Sequence, residues 1–367
     1  MTPSLYIHIP FCEKKCPFCS FAVAASQMNR CDEYIGALEK EALSFKGTPV
    51  MSVYVGGGTP SCLSLAQMER LWAVIAGNFC FSSDCEKTFE ANPESMDPEK
   101  ARLLKSLGIN RVSLGLQSMN DERLKYLGRG HNVFKAKEAF KTLRSAGFKN
   151  LNVDLMYGFP GQTPEELDAD FRKITALGSE HLSIYNLTIE KKSLFYVQKK
   201  SVDNETQGRL YELILRRAHQ ESFFQYEVSN FSRQGFESRH NLNYWQGGEY
   251  IGLGVAAHSH LEGRRRWNVD TLPLYLAAMR DTKSAMAGSE ELLPGDKFME
   301  TFLFGLRMNS GVDLYALERR MKVKFPEGKS DELGSLIEAG FLEEDGPVVR
   351  VTDKGRLVLD EISARLI

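Results

Sequence analysis

The sequence predicts an α/β protein with a mostly parallel sheet, either closed as a barrel or doubly wound, and a winged-helix-like α+β unit near its C-terminal end. Six short β-rich segments recur through the first 190 residues with amphipathic helical stretches between them, which indicates consecutive βα units. Further on, a helix, a glycine turn and a two-stranded wing around Asp345-Gly346 follow one another. Functional loops follow the strand C-termini in both kinds of parallel sheet, so we expect the motifs there.

The predicted strands are short β-rich runs with the spacing of strand, helix, strand units. They cover residues 5–9, 50–55, 87–91, 111–117, 151–157 and 181–187. The predicted helices have apolar residues at three-and-four spacing, several behind Ser, Thr or Asp caps. They cover residues 31–44, 65–75, 98–107, 133–146 and 164–177. We therefore expect one helix between each pair of neighbouring strands.

The pattern changes after about residue 190. A polar stretch leads to a long helix near residues 207–220, and a segment rich in glycine, asparagine and aromatic residues follows. We interpret residues 191–290 as an insert that extends the sheet and closes one side of it, between a barrel or sheet domain at 1–190 and the winged-helix-like domain at 291–367. Winged-helix units often bind DNA, but the helix predicted at 330–339 is acidic, whereas phosphate contacts require Lys and Arg. A lid or docking module is favoured instead.

Composition and charge exclude several classes of protein. The 367 residues include 46 Lys and Arg against 48 Asp and Glu, a net charge of -2 that is too balanced for a strong nucleic-acid or anionic-membrane field. No apolar run approaches the roughly 20 residues that span a bilayer, and the first residues lack the basic-then-apolar order of a signal peptide. We therefore expect a cytoplasmic protein with no nucleic-acid partner and at most peripheral membrane contact.

Three of the seven cysteines, Cys12, Cys16 and Cys19, lie within eight residues directly after the first predicted strand. Structural disulfides are rare in a reducing cytosol, so clustered thiols indicate a metal or redox chemistry. Three thiolates on one loop can each bind one iron of a [4Fe-4S] cluster and leave the fourth iron open to a ligand. Zinc is the competing metal, but a structural zinc site requires four ligands in paired spacing, and the nearest further candidate, His8, lies inside the strand. We expect the other cysteines to be ordinary packed or surface thiols.

The segment Tyr6-Ile-His-Ile-Pro-Phe-Cys12, with the three-cysteine spacing, resembles the radical S-adenosylmethionine (SAM) superfamily. More narrowly, it resembles the coproporphyrinogen oxidase-like branch, and the resemblance covers nearly the whole chain. It implies a partial (β/α)6 TIM-like barrel of the radical SAM type, with a [4Fe-4S] cluster and SAM as cofactors. In such proteins a reduced cluster donates an electron to SAM, while the protein contributes geometry and water exclusion.

Polar residues lie where the apolar strands open into the expected active-site face. The glycines of GGGTPS, residues 56–61, end the second strand and allow backbone groups to approach the methionine part of SAM. A side chain introduced at Gly58 is expected to weaken SAM binding and leave the cluster intact. The resemblance implies that one or two SAM molecules contact Tyr6, Phe18, Gly57, Gly58, Thr59, Glu90, Gln117, Arg129, Asp154 and Thr188.

Two families of this branch differ at identifiable positions. The oxygen-independent coproporphyrinogen III oxidases continue the triplet with a fourth cysteine, where this chain has Phe21, and they carry a longer segment ahead of the first strand. Residues 240–245, HNLNYW, resemble the HNxxYW stretch of the heme chaperone family. We therefore favour a heme chaperone that delivers heme to apo-haemoproteins such as respiratory enzymes. An oxidase-like or heme-modifying radical SAM enzyme is the alternative.

The HNxxYW stretch is the predicted heme site. His240 offers an imidazole as an axial iron ligand, and Tyr244 and Trp245 offer rings that can pack on the flat macrocycle. An interior histidine packed among aromatic residues is the competing interpretation. His258 and His260 are further candidate ligands, ranked below His240. Whether the chain is an enzyme, and whether cofactor loading makes it a homodimer, stay open at this stage.

Overall fold

A computed structural model describes residues 2–281 and 284–367 and confirms the α/β class. Its strands are β1 (Ser4–Ile9), β2 (Phe11–Cys12), β3 (Ala24–Ala25), β4 (Thr48–Gly57), β5 (Phe79–Ala91), β6 (Arg111–Gln117), β7 (Leu151–Tyr157), β8 (His181–Asn186), β9 (Phe224–Glu227), β10 (Asn230–Ser232), β11 (Tyr250–Leu253), β12 (His258–Leu261), β13 (Arg264–Asn268), β14 (Met286–Glu291), β15 (Val312–Asp313), β16 (Leu342–Asp345) and β17 (Val348–Val351). Its helices are α1 (Cys31–Ala42), α2 (Leu65–Asn78), α3 (Pro98–Ser106), α4 (Asp121–Tyr126), α5 (Val133–Ser145), α6 (Pro164–Thr175), α7 (Leu194–Val197), α8 (Asn204–Gln220), α9 (Arg239–Trp245), α10 (Leu272–Asp281), α11 (Pro294–Gly305), α12 (Leu314–Met321), α13 (Ser330–Glu338), α14 (Asp353–Arg356) and α15 (Leu359–Leu366).

Six parallel strands form the wall of the partial barrel, in the order β1-β4-β5-β6-β7-β8. Parallel neighbours need crossover connections, which the predicted helices α1, α2, α3, α5 and α6 supply. Two of these helices begin with capping boxes, at Ser64 and Thr163, in which each hydroxyl accepts a backbone N–H of the first turn. The predicted partial (β/α)6 arrangement is therefore confirmed, with element bounds shifted by a few residues except at the earlier start of β5.

The segment after residue 190 extends the sheet at both edges. β10 pairs antiparallel with β8 at one edge and with β9 beyond it. At the other edge β11 pairs parallel with β1, and β12, β13 and β14 continue antiparallel. The one-sided insert expected from the sequence is therefore corrected. An open six-stranded sheet has unpaired backbone N–H and C=O groups at both of its edges, and the returning chain pairs with both.

The short helix α9 lies at the N-terminal end of the barrel strands. Ser238 caps it, and the carboxylate of Glu86 accepts from the Ser238 hydroxyl and from the backbone N–H groups of Arg239 and His240, at 3.4, 3.2 and 3.1 Å. Acidic groups stabilise a helix N-terminus because of its partial positive charge. We call α9, with Glu86, Ser4 at the start of β1 and Ser52 beside it on β4, the barrel floor.

The C-terminal unit has a hydrophobic core of its own. A three-stranded sheet in the order β15-β17-β16 packs with α11, α12 and α13, and β16 and β17 form the wing around Gly346 that the sequence predicts. The winged-helix pattern is confirmed. Across residues 2–281 and 284–367, the structure has no helix that combines the length and the apolar character needed to cross a membrane.

Candidate functional site

A cavity of about 430 Å³ lies at the C-terminal ends of the parallel strands. Its wall combines the loop after β1 with the ends of the following strands, as expected for a barrel of βα units. The three cysteines of the triplet and nine of the ten residues predicted to contact SAM line it, namely Cys12, Cys16, Cys19, Phe18, Gly57, Gly58, Thr59, Glu90, Gln117, Arg129, Asp154 and Thr188. The tenth, Tyr6, does not line the cavity, and its hydroxyl is 2.9 Å from Nδ1 of His8.

The cysteine loop presents three free, half-buried thiols to the cavity. Sγ of Cys12 lies 3.4 Å from Oγ1 of Thr59, and Nη1 of Arg129 lies 3.7 Å from Sγ of Cys16. Burial raises the pKa of Cys12 to about 11 and also raises the pKa of Cys19, so that a bound cation is needed to favour their thiolates. Within the described residues, no three His, Cys, Asp or Glu side chains are grouped to hold a single ion. The donor chemistry of the loop, three thiols within eight residues, fits a [4Fe-4S] cluster.

The glycine-rich loop packs directly against the cysteine loop. The backbone N–H groups of Gly58 and Thr59 donate to the carbonyls of Ile9 and Phe11, each at 2.8 Å. A Cβ at Gly58 would lie 2.6 Å from the Phe11 carbonyl oxygen and 3.0 Å from Sγ of Cys12. A side chain at Gly58 would collide with the backbone of the cysteine loop, so the structure gives a reason to expect an effect on the cluster as well as on SAM.

Two half-buried carboxyls, those of Glu90 and Asp154, face the same cavity. Glu90 accepts a hydrogen bond from the Tyr54 hydroxyl at 2.7 Å and another from the backbone N–H of Gly57 at 3.0 Å. Asp154 accepts from Nδ2 of Asn152 at 2.7 Å. Burial raises the pKa of Glu90 to about 7, and it raises the pKa of Asp154 from its ordinary value. A cationic ligand group in this cavity would stabilise both carboxylates.

Gln117 reaches the cavity through an unusual backbone conformation. Its φ of 71° is in the left-handed region, and the pairing of β6 with β7 shifts register between Gly115 and Gln117. A β-bulge changes the direction of the side chain at its position, which here brings a strand-end amide to the cavity wall.

The wall also contains residues that the sequence motifs do not assign to it. They include Tyr54, Asn92, Glu94, Ser113, Met156 and Tyr185. Successive side chains of a strand alternate between its two faces, so a residue two positions from a predicted one shares its face. Asn92 is two residues beyond Glu90, and Met156 is two beyond Asp154, so this alternation was the available signal.

His240 lies in the barrel floor, at the opposite end from the cavity, and is only 2% exposed. Its Nδ1 is 2.9 Å from the Ser52 hydroxyl, and its Nε2 is 3.1 Å from the Tyr244 hydroxyl. Burial, with a smaller effect of nearby Arg111, lowers the pKa of His240 to about 3, so the imidazole is neutral. Both ring nitrogens have protein partners, so the structure does not present His240 as an open axial ligand. Heme ligation by His240 stays a prediction, and it requires these hydrogen bonds to break.

The two aromatic residues of the motif also pack on protein groups. The Tyr244 ring lies 4.7 Å from that of Tyr250. The Trp245 ring lies 6.2 Å from that of Phe304, and the guanidinium of Arg307 is 4.6 Å from its centre. Both residues nevertheless stay partly exposed, and their packing on heme stays a prediction.

The two lower-ranked histidines lie on β12, outside the cavity lining. His258 is exposed and its ring is 6.2 Å from that of Trp267, whereas His260 is buried with its ring 6.1 Å from that of Tyr250. Tyr250 also contacts the Tyr244 ring, so a run of aromatic rings connects His260 with His240. Heme ligation by His258 or His260 stays a prediction.

Comparison with known proteins defines the class first. A family model described as the radical SAM superfamily matches residues 6–174, and one described as the HemN C-terminal domain matches residues 292–358. Among solved structures, coproporphyrinogen III oxidase (HemN) from Escherichia coli, described as a radical SAM enzyme, superposes with a TM-score of 0.88. It is 25% identical, and the match covers 100% of this chain and 90% of that chain. The chain therefore has the fold of a radical SAM protein.

Similarity to individual proteins identifies the family within this superfamily. The chain is 34% identical to the heme chaperone HemW of Bacillus subtilis, over 98% of this chain and 97% of that protein. It is 35% identical to HemW of Lactococcus lactis, over 96% and 94%, and 32% identical to HemW of Escherichia coli, over 98% and 96%. The chain belongs to the radical SAM superfamily and, within it, to the heme chaperone HemW family.

Proposed function

We propose that this chain is a heme chaperone that holds a [4Fe-4S] cluster and SAM in the cavity and delivers heme to apo-haemoproteins. The observation that carries the proposal is its similarity, over nearly the full length, to relatives named heme chaperone HemW. The meeting of the three thiols and the strand-end residues in one cavity supports the two cofactors.

Cys12, Cys16 and Cys19 would hold the cluster, which when bound supplies an electron to SAM. The rest of the cysteine loop serves to fix the thiols. Its backbone carbonyls accept from the glycine-rich loop, so the two loops form one rigid rim. Arg129 brings a positive charge to within 3.7 Å of Cys16, which offsets the negative charge of thiolates in a half-buried site.

Glu90 and Asp154 would bind the cationic part of SAM. Tyr54 and the backbone N–H of Gly57 orient the Glu90 carboxylate, so that it needs no rearrangement when a ligand enters. The lack of side chains at Gly57 and Gly58 leaves room for a ligand to approach the backbone. These residues bind and orient, and the surrounding barrel excludes water.

The alternative is an oxidase-like or heme-modifying enzyme, favoured by the overlap with coproporphyrinogen III oxidase along the whole chain. The chaperone is preferred because the identity to HemW relatives is higher, at 30 to 35% against 25%. Phe21, at the position of the oxidases' fourth cysteine, supports the same choice: it lines the cavity with its side chain 65% exposed.

Partners and location follow from the same proposal. The recipients would be apo-haemoproteins such as respiratory enzymes, met in the cytoplasm or at the membrane surface. The winged-helix-like unit would serve as a lid or docking module, because its helix α13 begins with the acidic residues Asp331 and Glu332, which disfavour phosphate contacts. A homodimer that forms on cofactor loading is part of the proposal.

One experiment distinguishes the heme chaperone from the two enzyme alternatives. Reconstituted protein is incubated without oxygen with SAM, a reductant and either heme or coproporphyrinogen, and the products are identified by mass spectrometry. Stable heme binding without turnover, followed by transfer to an apo-haemoprotein, is expected. Decarboxylated porphyrinogen would show an oxidase, and altered heme would show a heme-modifying enzyme. Either product would overturn the chaperone proposal.

A further inference from the structure

A single amide side chain connects two of the three thiols. Oδ1 of Asn92 accepts from Nη2 of Arg129 at 2.7 Å, and Nδ2 of Asn92 donates to Oγ1 of Thr59 at 3.1 Å. Arg129 then reaches Sγ of Cys16 through Nη1, and Thr59 reaches Sγ of Cys12 through its hydroxyl. We call this chain, from Cys12 through Thr59, Asn92 and Arg129 to Cys16, the amide bridge.

The chemistry of Arg129 determines the direction of the hydrogen bonds that Asn92 makes in the amide bridge. A guanidinium only donates, so the carbonyl oxygen of Asn92 must face Arg129, and its NH₂ group must face Thr59. A metal-bound Cys12 thiolate can only accept, so the Thr59 hydroxyl would donate to it while the Thr59 oxygen accepts from the NH₂ group of Asn92. With the cluster held, both ends of the bridge would therefore present a donor to a cysteine sulfur.

The position of Asn92 is tightly constrained. Pro93 follows it and favours the extended conformation observed, with φ of -106° and ψ of 146°. The backbone N–H of Asn92 donates to the Ser61 hydroxyl at 3.0 Å. A Cβ at Gly115 would lie 2.9 Å from Oδ1 of Asn92, so a glycine there makes room for the amide.

We propose that Asn92 is a positioning residue that sets the reduction potential of the cluster held by Cys12, Cys16 and Cys19. This inference rests on the proposed function, because it requires a cluster at these thiols. Reduction adds one negative charge to the cluster, and donors aimed at its sulfur ligands stabilise that charge. Asn92 touches neither sulfur, and it acts by holding the Thr59 hydroxyl and the Arg129 guanidinium in their donating positions.

The test compares Asn92→Leu, which has a similar volume and no polar atoms, with the parent. The matched control is Asn186→Leu, because Asn186 lines the same cavity but its amide reaches only Gln207, at 3.5 Å. Iron and sulfide contents are measured first, and the midpoint potential is then determined by redox titration monitored by electron paramagnetic resonance, without SAM.

In Asn92→Leu the oxidised-to-reduced ratio at a fixed ambient potential is expected to rise about tenfold, which is a shift of about 59 mV to more negative potential for one electron. Asn92→Asp keeps the acceptor for Arg129 and loses the donor to Thr59, so it should shift in the same direction. In the double variant Asn92→Leu with Thr59→Val the shift should be smaller than the sum of the two single shifts, because both act on one donor.

Cluster-loaded Asn92→Leu or Asn92→Asp protein with the parent's potential would overturn the inference and leave the proposed function standing. A shift of the potential in Asn186→Leu as large as that in Asn92→Leu would likewise overturn the inference and leave the proposed function standing. A parent protein that assembles no cluster at the three cysteines would overturn both the inference and the proposed cofactor.

Discussion

The two ends of the barrel use the same strands and are both lined by polar side chains, yet only one end has room for a ligand. At the C-terminal end, glycines replace side chains at the rim of a cavity of about 430 Å³. At the N-terminal end, α9 fills the space, and His240 already has a hydrogen-bond partner at each ring nitrogen. A polar residue inside the barrel thus indicates a ligand site only where the surrounding residues leave an open volume and a charge without a counter-charge.

The two ends also differ in how the protein stabilises their carboxylates. In the barrel floor, Glu86 accepts hydrogen bonds from one hydroxyl and two backbone N–H groups of the residues at the start of α9. In the cavity, burial raises the pKa of both Glu90 and Asp154, so these carboxyls lack a sufficient cationic partner. Variants at each end can show whether the cavity binds the cofactors and whether the floor only stabilises the fold.

The largest effect is expected at the cysteine loop. Replacing Cys12, Cys16 or Cys19 with Ala should abolish cluster assembly, because the three thiols supply the only sulfur ligands on this loop. Iron and sulfide contents and the broad visible absorption of reconstituted protein measure the loss. Cys80→Ala is the exposed control, and Cys62→Ala is the stricter one because Cys62 lines the same cavity. A triple variant that retained the parent's iron would refute the assignment.

The next-largest effect is expected on the affinity for SAM. Glu90→Gln should weaken SAM binding roughly 10- to 150-fold, the range for losing a charged hydrogen bond of about 1.5–3 kcal/mol. The pKa of Glu90 is about 7, so its carboxyl is ionised above that pH and takes up a proton below it. Parental SAM affinity should therefore fall as the pH drops through 7.

Calorimetric titrations from pH 6 to 8 measure this change, and Glu90→Gln should lack the pH dependence. Glu122→Gln, at an exposed position on α4, is the control. Equal affinities in the parent and the Glu90 variant at pH 8 would contradict a SAM contact for Glu90.

A smaller effect is expected in the barrel floor. His240→Ala should lower the free energy of unfolding by about 1–3 kcal/mol, because it leaves the hydroxyls of Ser52 and Tyr244 without this buried partner. Urea denaturation measures the loss, with the exposed His258→Ala as control. The same variant tests the predicted heme ligation: if His240 is the axial ligand, the Soret band of heme-loaded protein should change in the folded variant. An unchanged Soret band would mean that the His240 imidazole stabilises the fold and does not bind the heme iron.

The smallest effect concerns a hydrogen-bonded pair of side chains, Glu94 and His131, at the cavity wall. Oε2 of Glu94 lies 2.8 Å from Nδ1 of His131. Burial alone would raise the pKa of Glu94, but the hydrogen bond with His131 and the charge of Arg129 outweigh it and lower the pKa. The stabilisation is therefore present above the ordinary glutamate pKa of about 4.3 and is lost as the pH falls through the lowered folded value.

Glu94→Gln should accordingly lower stability by about 1 kcal/mol at pH 7 and by nothing measurable at strongly acid pH. Denaturation of apo-protein over a pH series gives both values. A difference between parent and variant that persisted unchanged into acid would mean that Glu94 contributes through packing and not through its charge.

Most of the fold and the cavity could be predicted from local sequence patterns. Strands and helices of the first half follow from hydrophobic spacing and caps, and parallel βα units place their strand ends together. The strand-end positions of Glu90 and Asp154 therefore predicted that they meet, although 64 residues separate them. Asn92 was missed because its role depends on hydrogen bonds to residues 33 and 37 positions away.

The sequence by itself determined the α/β class, the cysteine triplet, the glycine-rich loop and the winged-helix-like unit, because each is encoded by contiguous residues. Only the tertiary structure decided what surrounds His240. Its nearest hydroxyl outside α9 belongs to Ser52, 188 residues earlier in the chain. Whether an imidazole is a free ligand or an interior hydrogen-bonding group depends on which atoms lie opposite its two nitrogens. For Nδ1 of His240 that atom comes from β4 and is in place only when α9 packs against the barrel.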